Sequence, residues 1–239
     1  MAKVEISEIE SAKERISGYV LNTPLLNSIA LSAKLGLEVF LKTEFLQETG
    51  SFKIRGATNA MLSLNKSQRI RGVITASSGN HGPALANAAS KLGIKATICL
   101  SSMVPDNKVK NVRINGGIVK IAGNDYDSAL AFCEGLVKVQ NQYLVHPFDD
   151  SSVVAGAGTI GLEIIEETQG DLDCVLVPLS GGGLLAGVAT AVKAYAPQIR
   201  VIGVSMENGA SMFNSIKAGR PVNVTEVETL ADALGGNIG

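Results

Sequence analysis

Short runs of apolar, β-branched residues alternate with helix-patterned segments along most of the chain. Between these runs, segments such as 82–92 and 184–195 repeat apolar residues with the 3.6-residue period of a helix. Strands that are apolar throughout and separated by helices are typical of a parallel sheet covered on both faces. The sequence therefore predicts an α/β fold. The predicted strands are 38–42, 72–76, 96–100, 117–121, 142–145, 174–178 and 201–205.

Composition limits the classes of partner. The 239 residues carry a formal net charge of −1, with 46% hydrophobic and 18% charged residues, so no basic surface indicates nucleic acid. No run of about 18 apolar residues predicts a membrane span, and the charged N-terminus is not typical of a signal peptide. Cys99 and Cys174 fall in predicted strands without CxxC spacing, which indicates buried free thiols in a reducing compartment.

The stretch CVLVPLSGGGLLAG is a candidate phosphate site. A predicted strand runs into consecutive glycines and then into a helix. Such glycines allow backbone N–H groups to converge, and the helix N-terminus adds roughly half a positive charge. The residues that we expect to hold a phosphate group are Ser180, Gly181, Gly182, Gly183 and Leu184.

Two other interpretations of this glycine loop stay open. One is a tight strand-to-helix turn that binds nothing. The other is a dinucleotide fingerprint, with Gly181, Gly183 and Gly187 against a pyrophosphate and Glu207 on a ribose. Its spacing is G-x-G-x-x-x-G instead of G-x-G-x-x-G, so the match is poor.

The stretch ITASSGNHGPALANAA is a second candidate site. A predicted strand ends in a polar loop that precedes an alanine-rich helix, where free N–H groups can bind a carboxylate. The alternative is an N-cap, but a cap needs only one such side chain. We therefore predict that the loop faces a ligand. Its residues are Ser77, Ser78, Gly79, Asn80 and His81.

The stretch TGSFKIRG contains Lys53 between Phe52 and Ile54. An apolar pocket or a neighbouring cation lowers the pKa of a lysine and makes its amine a nucleophile for Schiff-base formation. The alternative is a lysine at a helix start that pairs with Glu44 or Glu48. A phosphate site, a carboxylate site and a reactive lysine together indicate a pyridoxal phosphate enzyme that acts on an amino acid.

The chain resembles the fold-type II pyridoxal phosphate enzymes, in particular the serine/threonine dehydratase and serine racemase family. The resemblance runs from end to end and rests on the motifs NTPLLNS, SFKIRGA, SSGNHGPALA, VPDNKV, HPFDD, AGAGTIGLEI and VPLSGGGLLAGVA. It implies parallel twisted sheets in two domains. The run of strands and helices at 69–147 is the predicted small inserted domain, and 1–68 with 148–239 form the large pyridoxal phosphate domain.

The resemblance also implies a role for each matching residue. Lys53 carries the Schiff base and removes the substrate α-proton, Phe52 lines the pyridine ring, and Asn80 bonds the cofactor 3′-oxygen. The loop from Ser77 to His81 surrounds the substrate carboxylate, and the glycine loop holds the phosphate. Ser78 is the implied acid or base on the face opposite the lysine.

The implied reaction is β-elimination of L-threonine or L-serine to a 2-oxo acid and ammonia. Racemisation of serine or an aspartate-type substrate, dehydration in the 3-hydroxyaspartate or hydroxyectoine pathways, and a Rossmann-type oxidoreductase are the alternatives. Ser78 keeps racemisation open, whereas Ala129 stands where racemases carry a substrate-contacting arginine. Because Ser205 and Ser211 replace metal-binding acids of the family, we predict no metal.

Family members continue beyond the last motif seen here. We therefore expect this chain to be incomplete at its C-terminus, without the residue that contacts the pyridine nitrogen. A cytoplasmic homodimer or homotetramer that binds neither nucleic acid nor membranes is the expected state.

Overall fold

A computed structural model describes residues 3–225 and 229–238. The helices in these residues are α1 Ile6–Ile16, α2 Ile29–Leu35, α3 Lys53–Ser63, α4 Lys66–Arg71, α5 His81–Lys91, α6 Asp106–Ile114, α7 Tyr126–Gln140, α8 Ser151–Thr168, α9 Gly183–Tyr195 and α10 Ser211–Ala218. The strands are β1 Leu25–Asn27, β2 Phe40–Lys42, β3 Val73–Ala76, β4 Ala96–Leu100, β5 Ile118–Ile121, β6 Tyr143–Leu144, β7 Cys174–Pro178 and β8 Arg200–Val204. Short 3₁₀ turns lie at Glu44–Leu46 and Asp232–Leu234.

The largest sheet is parallel and has the strand order β5-β4-β3-β6. All residues of β3 and β4 are buried. Ile98 points into a core that includes Leu85 of α5, whereas its neighbour Cys99 packs with Cys133 of α7 on the other face. Successive side chains of a strand alternate between faces, so helices on both sides account for the continuous apolar strands.

The remaining strands of the described residues form two smaller sheets of two strands each. Strands β7 and β8 are parallel, as predicted, but β1 and β2 form an antiparallel ribbon that the sequence analysis did not predict. Val175 and Val177 of β7 pack under α9, whereas Leu176 on the opposite face is 63% exposed. The prediction of a sheet covered on both faces is therefore wrong for this pair within the described chain. Cys174, at the start of β7, is correspondingly only half-buried.

Helix α8 is the central packing element. It lies against α1, α3 and α9, and its residues from Val153 to Ile164 are all buried. Glycines allow these helices to approach closely. A Cβ atom at Gly156 would lie 2.6 Å from the carbonyl oxygen of Arg55, and one at Gly187 would lie 2.5 Å from that of Val154. Backbone therefore packs directly on backbone where α3 and α9 meet α8.

The four-stranded sheet lies within the predicted small domain at 69–147, and the other two sheets lie outside it. The division of the chain into two domains stays a prediction. None of the helices in the part of the chain that the structure describes is both long and apolar enough to cross a membrane.

The close packing of α3 on α8 predicts a strong effect for Gly56→Ala. A Cβ atom there would lie 2.6 Å from the carbonyl oxygen of Val153, so the helices must separate. We expect the free energy of unfolding to fall by about 1–3 kcal/mol, as measured by urea unfolding. Gly135→Ala in α7 is the matched control, because its Cβ atom meets no other atom within 4 Å. It should gain up to about 1 kcal/mol through helix propensity. Equal effects at both sites would contradict the packing explanation.

Candidate active site

Lys53 is the first residue of α3, and its side chain is half-buried. Its Nζ atom donates a hydrogen bond of 2.7 Å to the carbonyl oxygen of Pro147 and lies 5.3 Å from the centre of the Phe52 ring. Burial of the amine lowers the pKa of Lys53 to about 8. The predicted apolar setting thus produces an amine that loses its proton more readily than a surface lysine.

His81 is held by the same segment as Lys53. It is only 2% exposed, and its Nε2 atom lies 3.4 Å from the carbonyl oxygen of Val145. This contact places the ring proton on Nε2, and Nδ1 has no hydrogen-bond partner among the described residues. Burial, with a smaller contribution from the charge of Lys53, lowers the pKa of His81 to about 3. His81 is therefore a neutral imidazole beside the amine.

The polar loop before α5 divides into structural and outward-facing side chains. The Ser77 hydroxyl is buried and accepts hydrogen bonds from the amides of Gly79 and Gly82, at 3.3 and 3.0 Å. It therefore satisfies free N–H groups at the helix start, which is the capping alternative. Ser78 and Asn80 are exposed, so their polar groups face outward at this N-terminus.

The glycine loop lies against Phe148, the residue after Pro147. Cβ atoms at Gly181 and Gly183 would lie 2.4 Å from Cγ of the Phe148 ring and 2.5 Å from the Phe148 carbonyl oxygen. Gly182 has a φ of 88°, in the left-handed region that favours glycine. Close contact and backbone conformation therefore explain all three glycines. Because α9 begins at Gly183, its first amides have no partners within the helix.

The residues that flank the glycine loop make different contacts. The Ser180 hydroxyl donates to the carbonyl oxygen of Gly235 at 3.3 Å, and the Ser211 hydroxyl donates to that of Gly236 at 2.6 Å. Leu184 and Phe52 both pack on the core of β7 and α9. Phe52 thus links the start of α3, and with it the lysine, to the same core on which the helix after the glycine loop packs.

Segment 145–148 is part of the site, although the sequence analysis assigned it no binding or catalytic role. Its carbonyl oxygens contact Lys53 and His81, and Phe148 contacts the glycine loop. The signal was present in the HPFDD motif, which the sequence analysis used only for the resemblance. No cluster of three or more metal-ligating acids, histidines or cysteines occurs in the described residues, and the absence of a metal stays a prediction.

Comparison with known proteins decides between the alternatives for this site. The family model described as pyridoxal-phosphate dependent enzyme matches residues 16–238. A putative threonine dehydratase of Sinorhizobium fredii is 51% identical over 239 residues, which are 100% of this chain and 72% of that protein. The chain belongs to the pyridoxal-phosphate dependent enzyme family. This membership removes the oxidoreductase alternative for the glycine loop.

Two further relatives support the assignment to this family. An L-threonine ammonia-lyase of Thermotoga maritima is 42% identical over 231 residues, which cover 97% of this chain and 57% of that protein. The structure of maize serine racemase is 35% identical, with a TM-score of 0.95 over 100% of this chain and 72% of that one. The chain thus spans somewhat more than half to about three quarters of these relatives' length.

Pyridoxal phosphate is the cofactor of the family, and the residues present fit it. Buried polar atoms without a partner in the described chain include Oγ1 of Thr49, Oγ of Ser51 and Nδ1 of His81. Buried polar groups are normally hydrogen-bonded, so three such atoms beside or near Lys53 indicate a polar ligand. A buried amine and the N-terminus of α9 supply the groups that an aldehyde and a phosphate require.

Burial of neutral His81 predicts a specific acid sensitivity. Its pKa is about 3 in the native state and near 6.5 when unfolded. Between these values the unfolded state alone binds the proton, so stability falls with decreasing pH by up to about 1.4 kcal/mol per unit. In His81→Gln this contribution is absent. We expect the stability lost between pH 7 and pH 5 in urea unfolding to be smaller in the variant by about 1 kcal/mol or more. Equal losses would show that native His81 binds the proton.

Proposed function

We propose that this protein catalyses pyridoxal phosphate-dependent β-elimination of a β-hydroxy amino acid such as L-threonine or L-serine, which yields a 2-oxo acid and ammonia. The observation that carries the proposal is the buried Lys53 amine, held by the Pro147 carbonyl beside the Phe52 ring. Relatives named threonine dehydratase and L-threonine ammonia-lyase support this reaction. The homo-oligomeric state and the cytoplasmic location stay predictions.

We infer the binding roles from the position of each residue. The glycine loop from Ser180 to Leu184 holds the cofactor phosphate through the first amides of α9. Phe52 would line the pyridine ring of the cofactor, and the side chain of the exposed Asn80 would hydrogen-bond the cofactor 3′-oxygen. The loop from Ser77 to His81 receives the substrate carboxylate at the N-terminus of α5, where the N–H groups favour an anion.

Lys53 is the proposed base for the α-proton. Bound pyridoxal phosphate supplies the electron withdrawal that makes the α-proton of an amino acid acidic. An amine with a pKa of about 8 is neutral in roughly a tenth of molecules at pH 7, against fewer than one in a thousand for an ordinary lysine. Loss of the α-proton and the β-hydroxyl releases water, and hydrolysis of the remaining enamine gives the 2-oxo acid and ammonia.

Racemisation is the second candidate, and two observations favour keeping it. The fold matches that of maize serine racemase, and the exposed Ser78 lies just before the N-terminus of α5. Racemisation needs a proton donor on the face opposite the lysine, which is the role proposed for Ser78. Ala129 in α7 is 1% exposed and has no polar side chain, so it offers no racemase-like contact. We therefore infer that elimination dominates.

The assignment of Lys53 predicts where the cofactor attaches. Borohydride reduction of the loaded chain and peptide mapping should locate the adduct on Lys53. Lys53→Ala should abolish the adduct and lower 2-oxo acid release from L-threonine and L-serine by at least about 10²–10⁴. Lys91→Ala is a control, because Lys91 pairs with Glu48 on the surface. An adduct on another lysine would refute the assignment. Normal labelling of Lys53 without 2-oxo acid release from any β-hydroxy amino acid would refute elimination alone.

Ser78→Ala separates the two reactions. We expect it to abolish formation of D-serine from L-serine and turnover of D-serine, because both need a donor opposite Lys53. Elimination of the L-substrates should stay within about tenfold of the parent rate. A loss of L-elimination by about 10³ or more would mean that Ser78 serves the main reaction. Ser102→Ala, which removes a surface hydroxyl bonded to Asn124, is the control for nonspecific loss.

A further inference from the structure

Arg55 carries a buried charge two residues after the reactive lysine. The side chain is 0% exposed, and its guanidinium binds two carboxylates. Its Nε and Nη2 atoms donate to Glu44, both at 2.8 Å, while Nη1 and Nη2 donate to Glu163 at 2.6 and 2.7 Å. Bidentate pairs of this kind fix the orientation of both groups as well as their distance.

The remaining contacts leave the guanidinium fully satisfied. Nη1 also donates to the Thr159 hydroxyl and Nη2 to the Leu21 carbonyl, each at 3.1 Å. Glu44 opens the 3₁₀ turn after β2, and Glu163 lies in the middle of α8. One side chain thus joins the first turn of α3 to α8, to the 3₁₀ turn and to the loop before β1.

The position of Arg55 relative to Lys53 is set by the helix. Residues two apart in an α-helix point about 200° from each other. Lys53 therefore faces Pro147 while Arg55 faces α8 and Glu44. Two carboxylates neutralise the guanidinium, and burial alone accounts for the lowered pKa of Lys53. The effect of Arg55 on the amine is consequently one of position and not of charge.

We propose that Arg55 is a positioning residue, whose bidentate clamp on Glu44 and Glu163 fixes the first turn of α3 so that the Lys53 amine points at the Pro147 carbonyl. The inference deepens the proposed function, because it rests on Lys53 as the reacting amine. Without the clamp the helix start is free to rotate or fray, and the amine reaches solvent.

The same cluster of charges provides a matched control. Lys42 pairs with Glu163 at 2.9 Å and with Glu167 at 2.5 Å, and Glu167 also accepts a 3.0 Å bond from the Leu25 amide. Glu167 shows no bond to α3 in the described structure. Removal of its charge weakens the cluster on the β1 and β2 side and leaves the clamp intact.

The test compares Arg55→Lys and Glu163→Gln with Glu167→Gln in the full chain. The pH dependence of Lys53 acetylation, followed by mass spectrometry before cofactor addition, reports how the amine is held. In the parent and in Glu167→Gln we expect a midpoint near pH 8. In Arg55→Lys and Glu163→Gln the midpoint should rise by about one unit toward the value of an exposed lysine. The affinity for pyridoxal phosphate, measured from the visible imine band, should fall about tenfold or more.

Each outcome decides the proposal. A thermal midpoint that falls in all three variants, with a shifted acetylation profile only when the clamp is changed, supports positioning. An unshifted profile in both clamp variants, or the same shift in Glu167→Gln, overturns it and leaves a purely structural role. If Arg55→Lys does not fold, Glu163→Gln decides alone. Failure of the proposed elimination in the parent chain leaves the acetylation comparison valid, so the two failures are distinguishable.

Discussion

The buried pairing of Arg55 with Glu44 and Glu163 is the interaction on which the site depends. An isolated charge in a protein interior costs several kcal/mol, and a buried pair is tolerable only when its hydrogen bonds are complete. Here every N–H of the guanidinium has an acceptor, and the carboxylates are shared with Thr23 and Lys42. Such a cluster has one satisfied arrangement, which gives α3 one orientation on α8. The glycine contacts between the two helices tighten that arrangement, because neither backbone can shift without collision.

Segment 145–148 contacts Lys53, whose helix α3 is oriented by this pairing, and also contacts the other parts of the site. It follows the edge strand β6, at the end of the sheet where parallel strands present their carboxyl ends and where ligands of α/β proteins commonly bind. The Pro147 carbonyl accepts from Lys53, the Val145 carbonyl contacts His81, and Phe148 contacts the glycine loop. Lys53, His81 and the glycine loop, which are far apart in the sequence, therefore meet at this one segment. A site built on backbone carbonyls depends on strand geometry more than on the side chains of the segment.

The sequence predicted most of this architecture but not its connections. Seven strands were placed within one or two residues, because apolar runs and glycine punctuation are local signals. Strand β1 was missed because its residues Leu25–Asn27 include no β-branched residue. Its antiparallel pairing with β2 also depends on a partner outside the run. The polar loop, the glycine loop and Lys53 were predicted because their residue types are typical of anion binding and Schiff-base formation. By contrast, the sequence did not predict a positioning role for Arg55. Its true partner Glu163 lies 108 residues away, which no local pattern reveals.

Burial also sets the protonation states of the titratable groups in the site. Lys53, His81 and His146 lie close enough for their charges to interact, and burial lowers the pKa of all three. Nδ1 of His146 accepts the amide of Asp149 at 2.9 Å, which requires an unprotonated nitrogen. At neutral pH both imidazoles are therefore neutral, and the lowered pKa of about 8 lets Lys53 lose its proton more readily than a surface lysine. We therefore propose that the lysine transfers the proton at the amino-acid α-carbon, while the neutral imidazoles add no charge that would repel its ammonium form.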